Sequence, residues 1–490
     1  MEKMFYLLTE EREGIARCGV ALLAGTIASY LPYVLPVRSV GEAAEELWQE
    51  ANVIAVGDTA SHPLLAQCAA LGLFSVPQKA EGYAIYVGKS PFAEGKELIA
   101  IAGYDAHGIL YGCVDFCNKY LGKFAFPSLY PLPDGFDRSL FQGELAPWCY
   151  AAAPAISHRA VWTWGHVIYD YRALLDNMVR LRLNEIVIWN DRAPINAASI
   201  IDYAHARGIR VILGYAWGWG VRCEEIIADL LRGQRDASLR TLKESVIRTY
   251  EEEYASLNAD GIYFQSFTEL SAEEHEGVCI ASLVTETVNE IAEELFSRYP
   301  SLHLQFGLHA TSVRSRLFAI KEVDPRITIV WEDCGAFPYA YDPRKTEGFD
   351  ETLAFTQALL SLRGREEKFG CVFKGMLNLD WTRFSHFSAP YLLGERTKDF
   401  IRRRTDAKNP AWRLITAAWL KNAEYARRTV EAIARGGRAP VIEMLVEDAM
   451  LEEKIFFPAA LCAEMLWTPY EKTEDLMETV AAYPTVGFPE

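Results

Sequence analysis

The hydrophobic pattern is most regular beyond residue 158, where short apolar runs alternate with longer amphipathic stretches. The runs at 159–164, 185–189, 210–215, 261–267, 303–308, 328–331, 372–379 and 457–461 read as strands buried on both faces, because apolar residues dominate them without alternation. Helical spacing occupies 171–183, 197–207, 239–257, 282–299 and 349–362. Eight strand–helix units over roughly 330 residues match a (β/α)8 barrel. A charged helical insertion at about 396–451 falls between strands 7 and 8, and a last helix at 473–481 closes the pattern.

The first 145 residues alternate differently. Strands are predicted at 52–57, 82–87 and 97–102, with helices at 61–73, capped by Ser61, and at 105–121. This is a small α/β domain. The stretch 127–154 is rich in proline and glycine and reads as a linker. The predicted fold is therefore α/β: a small N-terminal domain over 1–145, then a TIM barrel over 155–490.

Composition narrows the function classes. The chain has 490 residues, half of them apolar and 12% aromatic, which excludes a disordered protein and supplies a large core. Its net charge of -17 argues against a nucleic-acid surface. The 10 cysteines are scattered without a CxxC pair, a pattern of reduced thiols, so a cytoplasmic location is expected. The N-terminus leads into acidic residues at 9–13 and lacks the basic start and apolar core of a secretory leader. The apolar run 18–35 raises the question of a membrane span, but Gly19, Gly25, Ser29 and Pro32 interrupt it, and a buried element is expected. No membrane or nucleic-acid partner is expected, and homo-oligomerisation is left open.

Barrel enzymes place their chemistry at the C-terminal ends of the strands. The strand at 261–267 runs into Thr268 and Glu269. A lone carboxyl at a rigid strand end, partly buried, is the equipment of a general acid that protonates a glycosidic oxygen. Hydrolysis needs a second carboxylate, about 5 Å away for retention and about 6.5–9.5 Å away for inversion. Glu332, Asp333 and Asp380 end later strands and share this role as candidates; of the adjacent pair Glu332 and Asp333, only one faces the pocket if both lie in a strand. Trp162, Trp164, Trp189, Trp217, Trp219, Trp331, Trp381 and Trp467 cluster near predicted strand ends, where aromatic faces stack on sugar rings. His166, His309 and His386 also fall there. A metal-dependent barrel hydrolase would use such histidines with a carboxylate, but no HxH or HExxH spacing supports it; His309 and the others are read as ligands to sugar hydroxyls or as satisfied structural histidines, and no metal or cofactor is expected.

Residues 81–85 and 105–112 resemble the accessory N-terminal domain shared by family 20 β-N-acetylhexosaminidases and family 67 α-glucuronidases, which precedes a catalytic (β/α)8 barrel. In the same resemblance Arg159 sits where family 20 enzymes place a sugar-binding arginine. Residues 183–191, with Trp189 and Asp191, look like their second strand, and 459–467 look like their last, whose tryptophan, here Trp467, lines the pocket. Family 20 enzymes end strand 4 on an Asp-Glu pair, in which the aspartate orients the acetamido nucleophile. Here the pair is Thr268-Glu269. The acid is present and the aspartate is not, which is nearer the α-glucuronidase pattern.

The leading expectation is an exo-acting glycoside hydrolase that cleaves short oligosaccharides, uronic-acid-containing ones among them, with Glu269 as acid. A β-N-acetylhexosaminidase-like enzyme and a non-catalytic carbohydrate-binding barrel are the alternatives. The partner in each case is an oligosaccharide or glycoside.

Overall fold

The computed structural model describes residues 3–10, 13–41, 45–124, 140–190, 192–218, 225, 227–229, 232–233, 235–266, 273–308, 316–332, 349–364, 367–376, 390–436, 440–446 and 450–489. They form two compact units: 1–155 with 206–208 and 474–486, and 156–205 with 209–473 and 487–490.

The first unit is built on a six-stranded sheet. Val37–Arg38, Phe5–Thr9, Asn52–Asp58 and Glu97–Gly103 run parallel. Tyr83–Lys89 and Trp148–Ala152 add antiparallel strands at one edge. The strand Trp148–Ala152 falls in the stretch read as linker. The helix predicted to start at Ser61 starts later, at Pro63, and His62 caps it by accepting from the Leu65 amide. The apolar run beginning at Cys18 contributes to the helix Gly14–Ala28, 15 residues long. At about 1.5 Å per residue that is short of a bilayer. Among the described residues no helix is long and apolar enough to cross a membrane. Gly19 is the contact point of this helix with Ala106–Asp115: a Cβ there would stand 2.7 Å from Leu110 Cα.

The second unit is a closed barrel of eight parallel strands. In chain order they are His158–Trp164, Glu185–Trp189, Arg210–Gly214, Gly261–Phe264, His303–Leu308, Thr328–Trp331, Phe369–Met376 and Val441–Val446. Seven of the eight predicted strands are present. The eighth is a correction: Phe457–Trp467 is a helix with every residue buried. An element that is apolar all round gives no periodicity, so a buried helix and a buried strand look alike in sequence. The strand that closes the barrel, Val441–Val446, lies inside the stretch read as an insertion. The rest of that stretch is mainly the 39-residue helix Lys398–Gly436, which joins strands 7 and 8.

Local chemistry explains the outer helices. In Tyr171–Arg180 the buried residues Tyr171, Leu174, Leu175 and Met178 follow the three-to-four spacing of one face. Asp170 caps the helix by accepting from the amides of Arg172 and Ala173.

Candidate active site

Alternation along each strand decides which side chains enter the barrel. Trp162, Trp164, Val187, Trp189, Ile212, Tyr263, Val330, Val372 and Leu445 pack together in the lumen. Trp162 and Trp164 meet edge to face at 4.8 Å, and Trp189 meets Tyr263 in the same way at 5.7 Å. Trp164, Trp189 and Gly214 are register partners across strands 1 to 3. A Cβ at Gly214 would overlap the Trp189 ring, so this glycine makes room for the indole.

Glu332 follows the sixth strand by one residue and keeps its alternation, on the same side as Val330. It is 3% exposed. The Tyr263 hydroxyl and the Gln265 side-chain amide both donate to its Oε1. Hydrogen bonds to a charged acceptor are the strong ones, and here they orient the carboxylate and stabilise its charge. Gly307, on the neighbouring strand, lets the group fit: a Cβ there would overlap both the Tyr263 hydroxyl and Glu332 Oε1. Burial, then the charges of Glu332 and Glu443, pushes the Tyr263 phenol well above its ordinary range, so it remains a donor.

Nearer the N-terminal ends of the strands lies a second set of charges. Gln305 Nε2 donates to Glu185 Oε1 at 2.7 Å. Arg210 Nη1 and His158 Nδ1 lie 3.1 and 3.4 Å from Glu185 Oε2. Burial alone would raise the Glu185 carboxyl, but the close His158 ring and the charges of His158, Arg210 and His303 hold it at about 2. Burial pulls His303 down to about 3 against the attraction of Glu185. Between the two sets Glu443 projects from strand 8. It is completely buried, and among the described residues neither of its oxygens has a hydrogen-bond partner. Burial first, and then the charges of Glu185 and Glu332, pushes its carboxyl well above the usual carboxylate range.

The structure sorts the predicted residues. Glu332, Trp164 and Trp189 are brought together in the lumen. Glu269, Asp333, Asp380, Asp191, His309 and Trp381 lie outside the described residues. Four predictions are corrected by their placement. Arg159 is one residue out of step with Ala160 and Trp162, so it faces away from the lumen. Its guanidinium donates to the carbonyls of Arg182, Ile156 and Ser157 at the N-terminal end of the strands. Trp467 belongs to the helix Phe457–Trp467 and lies under Arg159 and Arg182, 5.0 and 4.7 Å from ring centroid to guanidinium. Trp331 is out of step with Val330 and Glu332 and packs on Phe355 of the outer helix Phe349–Leu362. Trp217 stacks at 3.6 Å on Phe264, which points outward because its neighbour Tyr263 points inward. In each case the indole or guanidinium fills the layer between strands and helices.

Tyr263, Gln265, Gly307 and Glu443 were not predicted. Two signals were available. Tyr263 and Gln265 share a face by alternation in the very strand that leads to Glu269. Glu443 and Glu185 are lone carboxyls in otherwise apolar runs, and a buried charge is seldom kept without a purpose.

Among the described residues no group of three or more His, Cys, Asp or Glu is placed to hold a metal ion. No family model and no curated protein sequence matches the chain. Solved structures similar to it include a GH138 enzyme targeting pectin rhamnogalacturonan II, at 12% identity and a TM-score of 0.48 over 96% of this chain. The chain spans about half of that enzyme, 52% of its length. A GH20 β-N-acetylhexosaminidase from Streptomyces coelicolor A3(2) matches at 11% identity and 0.48, over 99% of this chain and 94% of that one. Another β-N-acetylhexosaminidase matches at 10% and 0.44, over 82% and 87%. These neighbours are glycoside hydrolases. Likeness at this level assigns no family and no activity, so the functional argument rests on the site.

Proposed function

We propose that the protein is an exo-acting glycoside hydrolase that uses two carboxyl groups, Glu332 in the lumen and Glu269 as general acid. One observation carries the reading. A buried carboxylate at the C-terminal end of a barrel strand, held by two donors, sits with the inward-facing indoles Trp164 and Trp189. Ordinary core filling does not require such a group, because burying a carboxylate is costly unless its charge is used or paired.

In the proposed reaction the Glu269 carboxyl gives its proton to the glycosidic oxygen as the C–O bond breaks, and the leaving alcohol departs neutral. Positive charge develops at the anomeric carbon. Glu332 meets it, either by forming a glycosyl ester that water later hydrolyses or by taking a proton from the attacking water; the carboxyl separation decides between the two. Tyr263 and Gln265 hold the Glu332 carboxylate in its working orientation. Asp333 and Asp380 are set aside in favour of Glu332. The substrates proposed are short oligosaccharides whose cleavage does not depend on an acetamido group, uronic-acid-containing ones among them, because Thr268-Glu269 lacks the aspartate that would orient that nucleophile.

A panel of aryl glycosides, including glucuronides, galacturonides and N-acetylhexosaminides, tests this. The expected result is turnover of one non-acetamido series. Tight sugar binding with no turnover on any member would make the protein a carbohydrate-binding barrel instead. Preference for N-acetylhexosaminides would overturn the two-carboxylate mechanism.

A further inference from the structure

The lumen contains a carboxyl group that the proposed reaction does not use. Glu443 is the only acidic residue of the strand Val441–Val446, and it is fully buried, with both oxygens unpartnered among the described residues. It pairs in register with Ala160 on one side and Val372 on the other, neither of which can donate to it from a side chain. The titratable groups that act on it are Glu185, Glu332 and Tyr263. Arg210, His158, His303 and Lys368 act on Glu185. Among the described residues the cations Arg210 and Lys368 lie at the N-terminal end of the lumen, beside Glu185.

Two carboxylates cannot both be ionised cheaply in a dry, confined space, so one buried charge is shared between them. Donors decide where it rests. Glu332 has the Tyr263 hydroxyl and the Gln265 amide, and Glu443 has none. We propose that Glu332 and Glu443 share a single buried negative charge and that Glu443, by retaining the proton, leaves that charge on Glu332. Glu443 is then a positioning residue for the reacting carboxylate. The role rests on the function proposed for Glu332, but the proton on Glu443 can be measured without turnover.

The sign of the effect on stability follows. Glu443 holds its proton in the folded protein at pH values where an unfolded chain, with an ordinary value of 4.5, has lost it. Its contribution to stability is complete below about 4.5 and is lost as pH rises towards the folded value. Glu443→Gln keeps the shape and the neutrality and removes that loss. Thermal unfolding of wild type, Glu443→Gln and the apolar Glu443→Met should show variant Tm values that gain on wild type steadily from pH 4.5 to pH 8. Infrared spectra at pH 7 should show a neutral carboxylic acid band in wild type that is missing from both variants. Tm differences that do not change with pH, together with no acid band lost on substitution, would overturn the proposal. If both variants fail to fold, the wild-type band alone decides, since a spectrum at pH 7 without a neutral acid excludes it. Failure of every aryl glycoside to react would count against the hydrolase reading and leave this measurement untouched.

Discussion

Glu332 depends on its immediate neighbours more than on its own strand. Removing the Tyr263 hydroxyl takes away one donor to the carboxylate. Hydrogen bonds to charged groups contribute about 1.5–3 kcal/mol, so Tyr263→Phe should lower kcat about 10- to 150-fold with a small change in Tm. Steady-state kinetics on the best aryl glycoside checks this; unchanged kcat would remove Tyr263 from the site. Gly307→Ala places a methyl group where the Tyr263 hydroxyl and Glu332 Oε1 now meet. Overpacking of this kind costs about 1–3 kcal/mol, so a lower Tm should accompany the loss of turnover. At this scale the sequence was informative about residue type and less so about direction. It gave Glu332 and Asp333 as a pair of which one faces inward. Only the register of strand 6 shows that Val330 and Glu332 share the lumen side. The same register sends Trp331 outward, and one step of alternation separates a sugar platform from a packing residue.

At the scale of elements, the strands were legible because buried parallel strands are continuous apolar runs with sharp ends. The failures have a common cause. Trp217, Trp467 and Arg159 lie near predicted strand ends, yet a barrel has two polar-capable regions there, the lumen and the layer under the helices. Sequence position does not distinguish them. The segment Phe457–Trp467 was misread because its apolar residues have no period at all. The charges at the N-terminal end of the lumen make a further prediction. His303, ordinarily near 6.5, is held at about 3, so it stabilises the fold fully above 6.5 and progressively less as pH falls to 3. Glu185, held at about 2 from an ordinary 4.5, adds a second loss between 4.5 and 2. Between pH 6.5 and 4.5 the His303 loss opposes the gain that Glu443 makes on acidification, and below 4.5 the Tm should fall steadily. His303→Gln should therefore gain in Tm on wild type as pH falls from 6.5 to 4.5, and a difference that does not change with pH would show that His303 is not the buried neutral base described here.

At the scale of the whole barrel, the described residues include a carboxylate near the mouth (Glu332), an acid further in that has no described partner (Glu443) and a paired carboxylate near the opposite end (Glu185). The fold class was legible from spacing alone; Glu269 lies outside the described residues, and its role as acid is the proposal made from its position in the sequence. The proposed substrate class rests on the missing aspartate at Thr268-Glu269: thiazoline mimics of an oxazoline intermediate should inhibit weakly, and tight inhibition would contradict the proposed mechanism. The most direct test of the central claim is kcat for Glu332→Gln beside wild type on the best aryl glycoside, with the Tm of both recorded. The account predicts a fall of at least ~10²-fold, the lower end of what a carboxyl group acting in proton transfer contributes, with the fold retained. Turnover within a few-fold of wild type at an unchanged Tm would contradict it.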